Sequence, residues 1–194
     1  MAETFNTRNI TEFRSRLTGG GARSNLFEVS IDFPDLAIDQ RLVTDKVPFL
    51  VKAAEIPASN LGNIPVPYRG RVLPIAGDRT FDPWTVTVIN DTDFLIRDAM
   101  EKWSNSINDL QTAQGTINPE VYQRSAQVKQ LSREGSNPGD PEKVLRIYDF
   151  VGIYPNTVSN IPLDFGATDQ IEEFQVTFNY LFYEVESPLG NLSA

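Results

Sequence analysis

Apolar and hydroxyl-bearing residues alternate between positions 84 and 89: Trp84, Val86 and Val88 fall on one side of an extended chain, Thr85, Thr87 and Ile89 on the other. Alternation with period two predicts a strand with one buried face. Pro83 sets its start, because proline can open a strand but has no N–H to give a ladder in its middle. The residues ahead of it, Ala76 to Asp82, read as a turn. Beyond the strand, Asn90, Asp91 and Thr92 offer three side chains able to cap a helix. Leu95, Ile96, Ala99, Met100, Trp103 and Ile107 then recur at three- and four-residue spacing against Arg97, Asp98, Glu101, Lys102 and Asn105. That pattern predicts one amphipathic helix of roughly four turns.

Similar patterns extend to both sides. Asn9-Ile10-Thr11-Glu12 has the spacing of a variant capping box, Ile10, Phe13 and Leu17 then share a helix face, and Gly19-Gly20-Gly21 stops it. This predicts a short helix on a flexible joint, with a disordered arm as the alternative. Phe27, Val29, Ile31 and Phe33 alternate with Glu28, Ser30 and Asp32, a strand from about Asn25 that Pro34 ends. Asp35 to Asp45 shows no clear period, and a second strand is expected from Phe49 to Ile56. Ile64 to Ile75 carries Pro65, Pro67 and Pro74, which suits an edge strand or a hairpin arm leaving the body.

After the helix, Asn108 to Glu120 reads as a loop. Val121 to Leu131 is expected to be a strand with Ser125, Gln127 and Lys129 on one side and Gln130 on the other, which suits a wall wetted on one face. Arg133 to Glu142 reads as a turn, and Val144 to Ile153 as a strand with a bulge at Tyr148-Asp149-Phe150. In the last strand Phe174, Val176, Phe178, Tyr180 and Phe182 share a face, worth about 1.5 to 3 kcal/mol for each fully buried side chain before entropy. The expected core is therefore Phe27, Val29, Ile31, Trp84, Val86, Val88, Trp103, Phe174, Val176, Phe178, Tyr180 and Phe182, in a two-layer sandwich capped by the helix.

Composition narrows the chemistry. The 194 residues include neither cysteine nor histidine, which removes disulfides, the usual zinc ligands, Cys/His pairs and a Ser-His-Asp triad. No apolar run approaches the roughly 20 residues that cross a bilayer, and no secretory signal is expected at the N-terminus. No phosphate-binding glycine motif is present. Asp78, Asp82, Asp91 and Asp93 do not follow a calcium-loop spacing, and Glu172 and Glu173, adjacent on a strand, face opposite sides. No catalytic, metal or cofactor site is expected. A formal charge of −9 argues against gripping nucleic acid, though not against standing beside it.

The run Ala76 to Asp91, AGDRTFDPWTVTVIND, closely resembles a motif in the tail tube proteins of contractile-tailed bacteriophages of the T-even type. Ser24 to Val29 and Lys52 to Ala58 resemble the family's first two strands and Ile64-Pro65-Val66 the start of its third, while Tyr122 to Gln130, Gly152 to Asn156 and Ile171 to Thr177 fall in the family's order. Against its shorter members, Asp35 to Asp45 looks like an insertion. The resemblance implies a mainly β fold, an antiparallel β-sandwich or barrel-like domain with one main α-helix, closing into a hexameric ring with a continuous inner β-barrel. It divides the chain into an arm at 1–24 with a short helix and glycine linker, a body at 25–186 and a tail at 187–194.

The resemblance further implies a structural virion protein whose rings stack into a tail tube inside a contractile sheath. Its implied partners are its own copies, the sheath, the baseplate and tail-terminator proteins, and double-stranded DNA passing through without tight binding. Assembly is expected in the bacterial host's cytoplasm. Four strands from each copy make roughly 24, which at about 4.8 Å spacing and about 45° tilt gives a barrel about 50 Å across, open enough for duplex DNA. The acidic balance predicts a negative lumen. Interface candidates are Ile64, Val66, Tyr68, Arg69 and Arg71, with Asp78 and Arg79, which either bridge to a neighbour or clamp a turn within the chain. Lumen-wall candidates are Ser125, Gln127, Lys129 and Gln130. A tube subunit of a phage-like contractile injection or secretion system is the alternative, and a monomeric ligand-binding sandwich a remote third.

Overall fold

The computed structural model describes residues 9–17, 21–35, 40–133 and 144–187. Along the chain lie α1 (Ile10–Arg16), β1 (Phe27–Ile31), α2 (Gln40–Leu50), β2 (Val51–Ala54), β3 (Asn60–Tyr68), β4 (Arg71–Thr80) and β5 (Trp84–Ile89). Then come α3 (Leu95–Ile107), α4 (Pro119–Tyr122), β6 (Arg124–Leu131), β7 (Val144–Val158), β8 (Glu173–Asn179) and β9 (Phe182–Glu186). The body is one antiparallel sheet in the order β1-β6-β7-β8-β5-β2, with β9 also on β7, while β3 and β4 pair only with each other.

The sheet folds over because β7 is long enough to serve both layers. Its first part, Ile147 to Val151, lies between β6 and β9, and its last part, Tyr154 to Val158, pairs with β8. The change of layer falls at Gly152, an extra residue in the register against β6 with φ of +69°, a conformation that favours glycine. The bulge expected at Tyr148-Asp149-Phe150 is thus displaced to Gly152, and those three residues pair regularly with Val128, Gln127 and Ala126.

The bend also breaks the last strand. Pairing passes from Tyr154 opposite Asn179 to Val151 opposite Phe182, and the side-chain alternation slips at Tyr180-Leu181. Phe174, Val176 and Phe178 are buried and Tyr180 packs half-buried against them, but Phe182 points out of the core at 41% exposure. Tyr183 takes the inward place instead, opposite Phe150.

Between the layers Trp84 stacks on Phe150 at 4.5 Å, and Phe178 lies 5.6 Å from Trp84 and 6.1 Å from Trp103. Both indoles find acceptors, as buried tryptophans need: Trp84 donates to the Glu55 carbonyl at 2.9 Å and Trp103 to the Tyr122 carbonyl at 2.8 Å. Val29, Ile31, Val86 and Val88 are buried, and Phe27 packs half-buried on them. The main helix, α3, buries Ile96, Ala99, Met100 and Trp103.

Several boundaries differ from the sequence pattern. Residues 40–50 form a helix, α2, where an irregular stretch and then a strand start at Phe49 were expected. Only Val43 and Val47 mark its buried side, and Pro48 sits within it, so its periodic signal is weak. Ala76 to Thr80 continue β4 and are not a turn. None of Asn90, Asp91 and Thr92 caps α3; Phe94 stands at the cap with φ of +53°, and the Asp93 carboxylate accepts the Leu95 N–H at 3.1 Å. Val121 and Tyr122 end α4, so β6 begins only at Arg124. The turn expected over 133–142 lies, but for Arg133, outside the described residues.

A Cβ at position 152 would meet Leu181 Cδ1 at 2.7 Å, on top of the positive φ. Gly152→Ala is expected to cost about 1–3 kcal/mol in denaturant unfolding. Adding Leu181→Ala should recover the part due to the clash and leave the backbone strain; full stability in the single variant would show that the bend does not need glycine.

Candidate functional site

The four strands β1, β6, β7 and β9 present a face turned away from the core. Register places Glu28, Lys129, Ile147 and Glu186 in one row across it, Ser30, Gln127, Asp149 and Glu184 in the next, and Ser125, Val151 and Phe182 in a third. The opposite face, with Val29, Val128 and Phe150, is core. Lys129 donates to Glu28 at 3.1 Å, so the face's one lysine is neutralised beside its own strand. Three of the wall candidates, Ser125, Gln127 and Lys129, share this surface. Gln130 points to the other side and donates to the Arg23 and Leu26 carbonyls at 2.8 and 2.7 Å, fastening the chain that leads into β1. Glu28, Asp149, Glu184 and Glu186 belong to the surface too; sequence reasoning missed Glu184 and Glu186 because the parity of the last strand changes at its break, and Glu28 and Asp149 because only pairing across strands sets them beside the wall candidates.

This sheet ends at β1 on one side and β9 on the other, and among the described residues neither has a strand on its far edge. An open edge of unpaired N–H and C=O groups is a template for another chain.

The proline-rich segment is a hairpin arm. Arg69 and Gly70 close it with φ of +46° and +82°, the signs a tight two-residue hairpin turn demands. Ile64, Val66 and Tyr68 lie opposite Ile75, Leu73 and Arg71, while Pro65 and Pro67 lie opposite Pro74 and Val72, so both faces of the ribbon are largely apolar. Nearly all of it is exposed, Tyr68 at 65% and Val72 at 61%. At the base, β4 holds an extra residue where Gly62 and Gly77 pass closely. Arg79 there donates to the Ser59 hydroxyl at 2.6 Å and Asn60 to Asp82, contacts within the chain. Asp78 lies exposed in the bulge. The interface candidates thus divide into Ile64, Val66, Tyr68 and Arg71 on one arm face, Arg69 at the tip and Asp78 and Arg79 at the root.

The carboxylates considered for chemistry are engaged in holding elements together. Lys46 of α2 reaches both Asp91, at 2.9 Å, and Asp93, tying α2 to the start of α3. Hydrogen bonds from the Lys46 ammonium hold both carboxyls below their ordinary value, and those carboxylates raise Lys46. Glu172 accepts from Asn90 at 2.9 Å and Glu173 from Lys52 at 2.6 Å, on different partners as their adjacency requires. A groove of 290 Å³ beside Phe81, Tyr122 and Tyr180 contains Asp82, but its Asn179 donates to the Tyr154 hydroxyl at 3.2 Å, a contact that orders side chains.

Residues 22–186 match the family described as phage tail tube protein. The chain belongs to that family. Tail tube protein gp19 of Enterobacteria phage T4 is 32% identical over 171 residues, which cover 86% of this chain and 93% of that protein. The tail tube protein of Serratia phage KSP90 is 29% identical over 88% of this chain and 93% of its own. Among solved structures, a chain of the anti-feeding prophage baseplate shares the fold with a TM-score of 0.58 at 11% identity, covering 87% of this chain and 97% of its own. A chain of the sheath-tube complex of an extracellular contractile injection system does so at 0.55 and 11%, covering 92% and 98%. As a tail tube protein of a contractile-tailed phage the molecule is structural, a building block of the tube, and the mainly antiparallel β body is the family fold.

The Lys46 clamp gives a pH signature. Carboxyls depressed in the fold contribute stability that is present above the unfolded value of 3.8 and lost as pH falls through the lowered one; raised Lys46 contributes stability present below 10.5 and lost as pH climbs through its higher value. The gap in urea midpoint between the native chain and Lys46→Gln is therefore expected to be widest between those two pH values and to close beyond both. A gap that stays constant into strong acid would show that the clamp does not hold α2.

Proposed function

We propose that copies of this tail tube protein close into hexameric rings by joining the β9 border of one subunit to the β1 border of the next. The carrying observation is the polar four-stranded face bounded by two open edges. Its strands alternate in direction, so β9 meets the neighbouring β1 antiparallel and the pattern continues around the ring without a mismatch. Closure pairs both borders of this wall at once, while β2 stays an edge of the other layer. The polar face becomes the lumen wall, with Glu28, Asp149, Glu184 and Glu186 against Lys129 on each copy. Repulsion of the phosphate backbone keeps double-stranded DNA in transit from adhering.

The rings stack, and the arm β3–β4 supplies a contact between subunits through Ile64, Val66, Tyr68, Arg69 and Arg71. Sheath, baseplate and tail-terminator proteins are its further partners in a virion tail assembled in the host cytoplasm. No turnover and no cofactor belong to this role. The reading as a tube subunit of an injection machine ranks second: the likeness there is one of fold at 11% identity, against 32% to a phage T4 protein.

Electron microscopy of concentrated protein, seeded with its natural starter complex, is expected to show hollow tubes with sixfold end views; dispersed compact particles would refute the proposal. Replacing Ile64–Ile75 by an Asn-Gly turn is expected to leave the circular dichroism of a folded chain and to abolish polymerisation, and unchanged tubes would show the arm to be dispensable. A solved ring whose pore is lined mainly by Arg and Lys would sink the acidic wall.

A further inference from the structure

Helix α1 lies upstream of residues 22–186, outside the stretch that matches the family. It is well formed locally: the Asn9 side-chain oxygen accepts the Glu12 N–H at 2.8 Å, and Arg16 pairs with Glu12 at 2.8 Å. Seven residues are nonetheless far fewer than the roughly 12 to 15 an isolated helix needs to persist in water, so α1 requires a surface. Ile10, Phe13 and Leu17 occupy one face at i, i+3 and i+7, and all three are exposed, Ile10 at 79%. None belongs to the core.

A surface of complementary character lies beside α3. There a groove of 370 Å³ has an apolar wall of Phe94, Ile161 and Leu163, the last 80% exposed. Its rim carries Asp98, Glu101 and Glu172. Arg97 is turned inward, donating to the Ser159 carbonyl at 2.6 Å and lying over the Phe174 ring at 5.1 Å, and it pairs with Glu101 at 2.5 Å, which leaves Asp98 and Glu172 as the rim's remaining carboxylates. An apolar slot with an acidic rim suits an apolar helix face flanked by arginines, and α1 carries Arg14 and Arg16 against Glu12.

We infer that α1 of one copy docks, through Ile10, Phe13 and Leu17, into the α3 groove of a second copy. The chain is fastened from Arg23 onward by Gln130, so the five residues from Thr18 to Ala22, up to about 17 Å when extended, set the reach of α1 from β1, itself a border strand of the proposed ring. The helix is then a strap that links subunits independently of the sheet borders and of the β3–β4 arm. The inference rests on the tube reading, since a docking helix between copies presupposes that copies assemble.

The chain has no cysteine, so introduced thiols give an unambiguous test. Phe13→Cys and Leu163→Cys variants are prepared separately, mixed, assembled under reducing conditions and oxidised. Mass spectrometry is expected to find a disulfide-linked peptide pair joining positions 13 and 163, which in this mixture must come from two copies, at least tenfold over the link from Phe13→Cys to Ile117→Cys, an exposed position that lines no part of the groove. Tubes in the micrographs with no such link, or with equal yields at both positions, would overturn the strap and leave the tube reading standing. Absence of tubes from the same sample would overturn both.

Discussion

Backbone N–H and C=O groups have to be paired with something, and at β1 and β9 the fold leaves one side of each strand to water. Each border is five residues long, so a single border-to-border contact offers only a short ladder. Two subunits joined by it would form a weak pair. A closed ring is different, because every member makes both contacts and no border of the wall is left over. The short borders therefore favour an assembly that is poor at starting and stable once closed, which suits a structure built from a seed.

The borders stay open because the strands between them are committed elsewhere. β7 turns at Gly152 from one layer to the other, and Leu181, in the break between β8 and β9, covers that glycine. The turn places Phe150 against Trp84 and Tyr183, closing the core, and leaves Ser125, Gln127, Asp149 and Glu184 on the far face. One bend thus generates both the dry interior and the polar wall. Straightening it would flatten the sandwich and mix the two faces, since a one-residue slip carries every side chain to the other side.

Strands with strict alternation were legible in the sequence: β5 and β8 lie where Trp84-Val86-Val88 and Phe174-Val176-Phe178 place them, and α3 where its three-four spacing does. The failures have local causes. α2 buries two valines only and contains Pro48, so neither period nor propensity reports it. The break at Tyr180-Leu181 is invisible along the last strand, because it faces Gly152 on a partner about 30 residues upstream, and unbroken alternation therefore puts Phe182 in the core. At the surface, three prolines marked the arm, but the place of Glu184 and Glu186 on the wall depends on which strand β9 joins, a long-range fact that no local pattern carries.

Adhesion and guidance make opposite demands on a tube subunit. Adhesion needs exposed apolar area, and here most of that area sits on the arm, on α1 and on loop residues such as Leu163, off the polar sheet face, with Phe182 at the end of the wall an exception. Guidance needs a wall that offers phosphates no fixed cation, and the lysine on the face meets that need by pairing with Glu28 across the strands. Arg69 and Arg71, unlike it, sit at the tip of the arm, away from the face. Were such arginines moved onto the wall, each would release counterions on meeting DNA, and repeated around every ring the gain would become a brake on passage. Separating sticky surface from sliding surface is thus a physical requirement of a conduit, and this chain meets it by placing most of its exposed apolar area on elements that leave the sheet.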